Sequence, residues 1–312
     1  MKRVLLTGAS GFLGRHAIAP LRTKGFEVHA VSSRASNGVA NGVTMHRADL
    51  FDATEVAALM KEVRPSHLLH FAWYAEPGKF WDSKQNYDWV VASLSLVRAF
   101  QAAGGSRVVV AGSSAEYDWK YGVCIESLTP RRPLTPYGVC KNALRELVTS
   151  LCNQSGTSFA WGLTFFLYGP YEHRARLVPS VATALIRGEI ARCTAGMQIR
   201  DFMHVEDCAA AFVALLNSEV RGDVNVASGR PQSVGDLTRM VAAIVGRPEL
   251  LALGALTPAV EEPPVILADV TRLLSEVGWR GARDIQYGLT TTVRWWRDEL
   301  AIQGVFKDST TV

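Results

Sequence analysis

The residue types that could do chemistry gather in two short stretches. In "TPYGVCK" (135–141), Tyr137 and Lys141 stand four residues apart. Thr135 can cap a helix and Pro136 suits its first turn, so both side chains fall on one helix face. A phenol with a pKa of about 10 is a poor acid or base at neutral pH. A neighbouring ammonium favours phenolate and lowers that value, toward the range useful for proton transfer. The second stretch is "VVVAGSSAEYDW" (108–119). Its apolar start reads as a buried strand, which stops at Gly112 and gives way to Ser113, Ser114, Glu116 and Tyr117. Hydroxyls that close a core strand either make a turn or face something that needs them.

The elements that must position these residues follow a rhythm. Apolar runs predict strands at 3–8, 27–33, 44–48, 67–72, 107–113 and 159–166, with helical patterns near 13–24, 54–63, 86–103 and 137–153. Alternating strand and helix predicts an α/β fold with a doubly wound, parallel sheet of Rossmann type. Strands covered on both faces should be apolar throughout, and these are. Beyond residue 164 the pattern loosens. Residues 200–218 read as a return to the sheet followed by a helix, and 228–300 mix helices with short strands. The expected division is 1–163 plus about 201–227 as a dinucleotide-binding domain. About 164–200 plus 228–312 would form a smaller C-terminal α/β domain for substrate.

Strand one runs into Gly8-Ala9-Ser10-Gly11-Phe12-Leu13-Gly14 and then a helix. Glycines there permit a tight turn and close backbone approach to a pyrophosphate, and the helix start offers N–H groups and a positive dipole end. Strand, loop and helix in that order are the context that confirms such a motif. The spacing is GxxGxxG. With "TPYGVCK", "LYGP" (167–170), "RLVPS" (176–180), "RDFMHVED" (200–207) and "NVASGRP" (225–231), the chain resembles the extended short-chain dehydrogenase/reductases that act on nucleotide sugars, over nearly its whole length.

The resemblance implies a site. Ser113, four residues before Tyr117, would bond the substrate oxygen beside Tyr137, and Lys141 would lower the tyrosine pKa and orient the ribose. Cofactor contacts would come from Gly8, Ser10, Gly11, Phe12, Leu13, Gly14, Ser33, Arg34, Asp49, Leu50, Phe71, Ala72, Tyr137 and Lys141. Substrate contacts would come from Ser114, Arg176 and Arg200, the last on the diphosphate, where a guanidinium fits. Asp49 has a plainer reading as a turn residue, and His204 reads as a packing residue. The end of strand two, "AVSSR", has no acid to bond a ribose 2′-hydroxyl. Ser33 and Arg34 suit a 2′-phosphate instead, so NADP(H) is the expected cofactor, with NAD(H) as the alternative.

Relatives that do more than redox carry a second reactive group just after the Ser/Thr. Here Ser114 and Ala115 stand there, and Ala115 cannot move a proton. Glu116 is one step out of register, and neighbours on an extended segment face opposite ways. The expected activity is therefore NADPH-dependent reduction of a nucleotide-linked 4-keto-6-deoxy sugar. A nucleotide-sugar 4-epimerase is the alternative, and a non-catalytic dinucleotide sensor is the rival of another class, disfavoured by the intact Tyr and Lys. Two departures stand out: Phe166 replaces the Asn found in many 4-epimerases, and "WYAEPGKFW" (73–81) is unusually aromatic.

The 312 residues carry a formal charge of +4 and are 48% hydrophobic. No basic run suggests nucleic acid and no apolar stretch suggests a membrane span. Five cysteines without CxxC spacing read as reduced thiols, and no metal site is expected. An element beginning at residue 3 or 4 leaves no room for a signal peptide, so a cytoplasmic enzyme is expected. The helices near 86–103 and 137–153 match those that form four-helix dimer interfaces in the family, which implies a homodimer.

Overall fold

A computed structural model describes residues 2–33, 42–257 and 262–304. The first half runs β1 (Lys2–Thr7), α1 (Gly14–Thr23), β2 (Phe26–Ser32), β3 (Val43–Arg47), α2 (Ala53–Val63), β4 (His67–His70), α3 (Gln85–Ala102) and β5 (Arg107–Ser113). A 3-10 turn over Ser114–Glu116 follows, then β6 (Val123–Cys124), α4 (Pro136–Ser155) and β7 (Ser158–Thr164). The rest comprises β8 (Phe166–Tyr168), α5 (Leu177–Ile186), β9 (Ala191–Arg192), β10 (Ile199–His204), α6 (Val205–Leu216), β11 (Gly222–Val226) and β12 (Pro231–Ser233). It ends with α7 (Val234–Val245), β13 (Leu251–Ala252), β14 (Val265–Ala268), α8 (Thr271–Ser275) and α9 (Ile285–Ile302).

Seven strands form one parallel sheet in the order β11-β7-β5-β4-β1-β2-β3. The order reverses direction beside β1, and in open α/β sheets the crevice at such a switch point is where ligands bind. Both faces are covered. Leu96, Val97 and Phe100 of α3 join Leu144 and Val148 of α4 against one face. Ala17, Ile18 and Leu21 of α1 join Cys208, Phe212 and Leu216 of α6 against the other. Each such Val, Leu, Ile or Phe side chain contributes about 1.5–3 kcal/mol when fully buried, so the apolar strands are explained by two-sided burial.

The second sheet corrects two sequence expectations. Residues 159–166 do not make a single strand: β7 ends at Thr164 and β8 starts at Phe166. β8 leaves the large sheet and pairs in parallel with β10. Nor is the stretch from residue 200 the expected return to the large sheet: β10 pairs with β12 and β14 in the second sheet, and the chain returns to the large one only through α6 and β11. A separate core of α5, α7 and α9 residues, including Leu185, Val241, Val293 and Trp296, packs over this half.

Candidate active site

The glycine loop sits at the carboxyl end of β1. Gly8 has φ +70°, and a Cβ on it would lie 2.9 Å from the Ala72 nitrogen. A Cβ on Gly14 would lie 2.2 Å from the Gly8 carbonyl oxygen. Only glycine lets the loop fold against both β4 and its own helix. Leu13 at the head of α1 offers no side-chain cap, so the first-turn N–H groups have no side-chain acceptor and their dipole end faces the loop. Ser10 and Gly11 are exposed at the tip. These features fit a dinucleotide pyrophosphate.

One buried network fixes the loop's neighbour. Thr7 Oγ1 accepts from the N–H groups of Phe71 and Ala72, both at 3.1 Å. Its own proton is then left for His70 Nδ1, 2.7 Å away. His70 must carry its proton on Nε2, where it donates to Ser93 Oγ at 2.9 Å. Burial, with Lys141 adding to it, pulls His70 down to about 3, so it stays neutral. Thr7 and His70 were not singled out from sequence. Their signal was there: each is polar within an otherwise apolar strand end.

The reacting set assembles where β5 meets α4. Thr135 caps α4 by accepting from the Gly138 N–H at 3.2 Å, with Pro136 in the first turn. Tyr137 is half-buried, and its N–H donates to the Trp81 carbonyl at 3.0 Å. Phe80, Trp81 and Trp73 stand edge-on to its ring, with centroids 4.9, 5.7 and 6.5 Å away. Burial pushes the phenol up to about 12; the Ser113 side chain lowers it, Glu116 raises it, and Arg176 lowers it. Lys141 is 4% exposed. Its ammonium donates to the Ala111 carbonyl at 2.9 Å and lies 3.9 Å from the centre of the Trp73 ring. Burial pulls it well below an ordinary lysine, and Glu116 opposes that. Lys141 thus shares the helix face with Tyr137, as the i, i+4 spacing predicted, and its ammonium is turned to β5; Arg176 is a cation that lowers the phenol.

The other predicted residues fall as follows. Arg176 heads α5, its guanidinium 5.2 Å from the Phe80 ring centre. Ser114 is buried, and its carbonyl accepts from Trp119 Nε1 at 2.7 Å. Ser33 is exposed at the end of β2, and Arg34 lies outside the described residues. Asp49 Oδ1 accepts from the Phe51 N–H at 3.0 Å, the turn role that was its plainer reading. Leu50 packs on the core beside it, and Phe71 and Ala72 are half-buried beside Gly8. Arg200 is 3% exposed and bonds Glu262 at 2.9 Å and the Ile199 carbonyl, so its guanidinium already has a carboxylate partner. Phe166 lies under it, 5.4 Å from ring centre to guanidinium carbon. His204 is buried and caps α6 through Nδ1, as a packing residue would. The aromatic stretch packs on itself and on the site: Trp73 stacks on Trp89 while touching Lys141.

The family model described as the NAD dependent epimerase/dehydratase family matches residues 4–227. The chain belongs to that family. A dTDP-4-dehydro-6-deoxy-D-allose reductase from a Streptomyces species is 30% identical, covering 95% of this chain and 96% of the relative. The UDP-glucose 4-epimerase of Thermus thermophilus, solved in complex with NAD, superposes with a TM-score of 0.84 at 25% identity, over 95% of this chain and 99% of that one. MoeE5, solved with UDP-glucuronic acid and NAD, gives 0.80 at 30% identity, over 96% and 100%. As an epimerase/dehydratase-family member, the protein is an NAD(P)-dependent enzyme of the extended short-chain dehydrogenase/reductase type.

Proposed function

We propose that the enzyme reduces a nucleotide-linked 4-keto-6-deoxy sugar at the expense of NADPH. One observation carries this reading. Behind Ser113 no acid is available for a second proton transfer: Ala115 is buried, and Glu116, 0% exposed, turns back into the core. Elimination of water needs such a group, whereas simple carbonyl reduction does not.

The bound dinucleotide supplies the hydride. Tyr137 donates its proton to the oxygen of the reduced ketone, and the Ser113 hydroxyl steadies that oxygen as negative charge develops. Arg176, at the mouth of the site, eases loss of the phenol proton. Lys141 holds positive charge beside Ala111 for the ribose. Trp73, Phe80 and Trp81 exclude water around the phenol, which strengthens each of these interactions. The seven-stranded half would carry the cofactor and the second half the nucleotide sugar, with Ser114 and Arg176 as contacts. Arg200 could take the diphosphate only by exchanging Glu262 for it.

NADP(H) is preferred in this reading because Val31–Arg34 contains no acid. Arg47 of β3, in register with Ser32, adds an exposed cation at the same edge. A homodimer is expected through α3 and α4, which pack on each other and leave Tyr87, Val91, Val139 and Leu147 exposed. The solved Thermus thermophilus UDP-glucose 4-epimerase with NAD favours a second reading, a 4-epimerase. Stoichiometry decides between them. A reductase consumes one NADPH per ketone reduced in anaerobic incubation with a panel of nucleotide 4-keto-6-deoxy sugars. Interconversion of nucleotide hexoses with no net change in cofactor absorbance would instead establish the epimerase.

A further inference from the structure

Glu116 is a group beside the reacting set whose burial demands a reason. It is 0% exposed in a chain region that could have ended in an apolar residue. Isolated buried carboxylates are costly, and unless paired they take up a proton. This one is surrounded. Oε1 accepts from the Ser113 N–H at 2.8 Å, and Oε1 and Oε2 receive Trp161 Nε1 at 3.0 and 3.1 Å. Arg131 Nη1 lies 3.6 Å from Oε2 and Arg145 Nε 4.0 Å. Both arginines also pair with Asp223 of β11, at 2.8 and 3.4 Å. Space for this arrangement is made on purpose. A Cβ on Gly112 would lie 2.0 Å from Trp161 Nε1 and 2.7 Å from Glu116 Oε1. The glycine that ends the apolar run therefore admits the carboxylate as well as ending the run.

We propose that Glu116 is a positioning residue: from within the core it holds the Ser113 peptide so that the hydroxyl meets Tyr137. The proposal rests on geometry. Ser113 and Glu116 form a reciprocal cap, with the Ser113 hydroxyl accepting from the Ala115 N–H at 3.2 Å while Glu116 receives the Ser113 N–H. The direction of Ser113 is thereby set from both sides. Facing this carboxylate are Arg131, Arg145 of α4, Lys141 and Tyr137 of the same helix, Tyr117 beside it, and Asp223 beyond the arginines. Burial pushes the Glu116 carboxyl up to about 7, and Arg131 and the Ser113 N–H oppose that.

Glu116→Gln keeps an oxygen for the Ser113 N–H, whereas Glu116→Leu removes it. The proposal rests on Ser113 and Tyr137 as reacting groups of the proposed reductase, so one of its two readouts needs no substrate. Hydrogen exchange at the Ser113 amide should be about tenfold faster in Glu116→Leu and near wild type in Glu116→Gln. In steady-state kinetics Glu116→Leu should lower kcat about tenfold, Glu116→Gln should restore it, and the loss should disappear in a Ser113→Ala background. Should Glu116→Leu fail to fold, Glu116→Met takes its place. Fast exchange with unchanged kcat, or an equal loss with and without the Ser113 hydroxyl, would overturn the proposal and leave Glu116 a staple of the fold. Absence of wild-type turnover with every keto sugar would sink the substrate reading and leave the exchange result to decide.

Discussion

Thr7→Val is the substitution whose cost can be worked most directly from the structure. Valine matches threonine in shape, so packing at this fully buried position is kept and only the hydroxyl goes. Three hydrogen bonds end with it: those from the Phe71 and Ala72 N–H groups and the one to His70 Nδ1. A buried polar group left unsatisfied costs about 1–3 kcal/mol. Phe71 and Ala72 are only half-buried, so water recovers part of their loss. His70 is not so placed, being 2% exposed. The expected destabilisation is about 2–5 kcal/mol, read from urea unfolding monitored by tryptophan fluorescence. Because the same bonds hold Ala72 against Gly8, dinucleotide affinity should fall at least about tenfold, equivalent to about 1.4 kcal/mol. A variant within about 0.5 kcal/mol of wild type, the range of ordinary surface changes, and with unchanged cofactor affinity would refute the reasoning that this network positions the loop.

Further expectations concern the chemistry and the buried acids. Tyr137→Phe should fold and bind cofactor normally and lose about 10²–10⁴-fold in kcat, the usual general-acid effect, measured by steady-state kinetics. Ser113→Ala should lower kcat and kcat/KM together, because its bond strengthens only as the ketone oxygen gains charge. Arg176→Ala removes a cation that lowers the Tyr137 pKa, so any limb of the pH–rate profile that reports the phenol should move to higher pH. Burial pushes the Glu172 carboxyl from 4.5 up to about 8. The native state therefore holds a proton there that the unfolded chain releases, and the contribution of Glu172 to stability should fall as pH rises between about 4.5 and 8. Glu172→Gln should remove that contribution, seen as a stability difference from wild type that changes across the interval in urea titrations.

The sequence carried the large sheet well because two-sided burial writes itself as continuous apolar runs, and β1 through β5 lie within a few residues of where those runs predict. It misjudged 159–166, since Phe165 and Phe166 continue the apolar run while the backbone changes sheets between them. That change depends on β10 arriving to pair with β8, which no local pattern encodes. At the site, Tyr137, Lys141 and Ser113 could be singled out because type and spacing are local. The burial of Glu116 was not legible: alternation supposes an extended segment, whereas Ser114–Glu116 form a 3-10 turn in which all three residues are buried. Nor were its partners: Arg131 and Arg145 are 15 and 29 residues on, and Asp223 far beyond, and only folding brings them together. For the same reason the Arg200 guanidinium could be offered to a diphosphate from sequence, while its pairing with Glu262, 62 residues away, could not be seen.

The central claim is that this site performs one hydride transfer and one proton transfer at a sugar ketone and nothing further. Anaerobic incubation of the enzyme with a nucleotide 4-keto-6-deoxy hexose and NADPH deuterated at the transferable position tests it in a single mass spectrum. The account predicts a product heavier than the substrate by one deuterium and one proton, with NADPH consumed in equal amount and the label lost in Tyr137→Phe. An unlabelled epimer, or loss of water from an intact nucleotide hexose at a comparable rate, would contradict it.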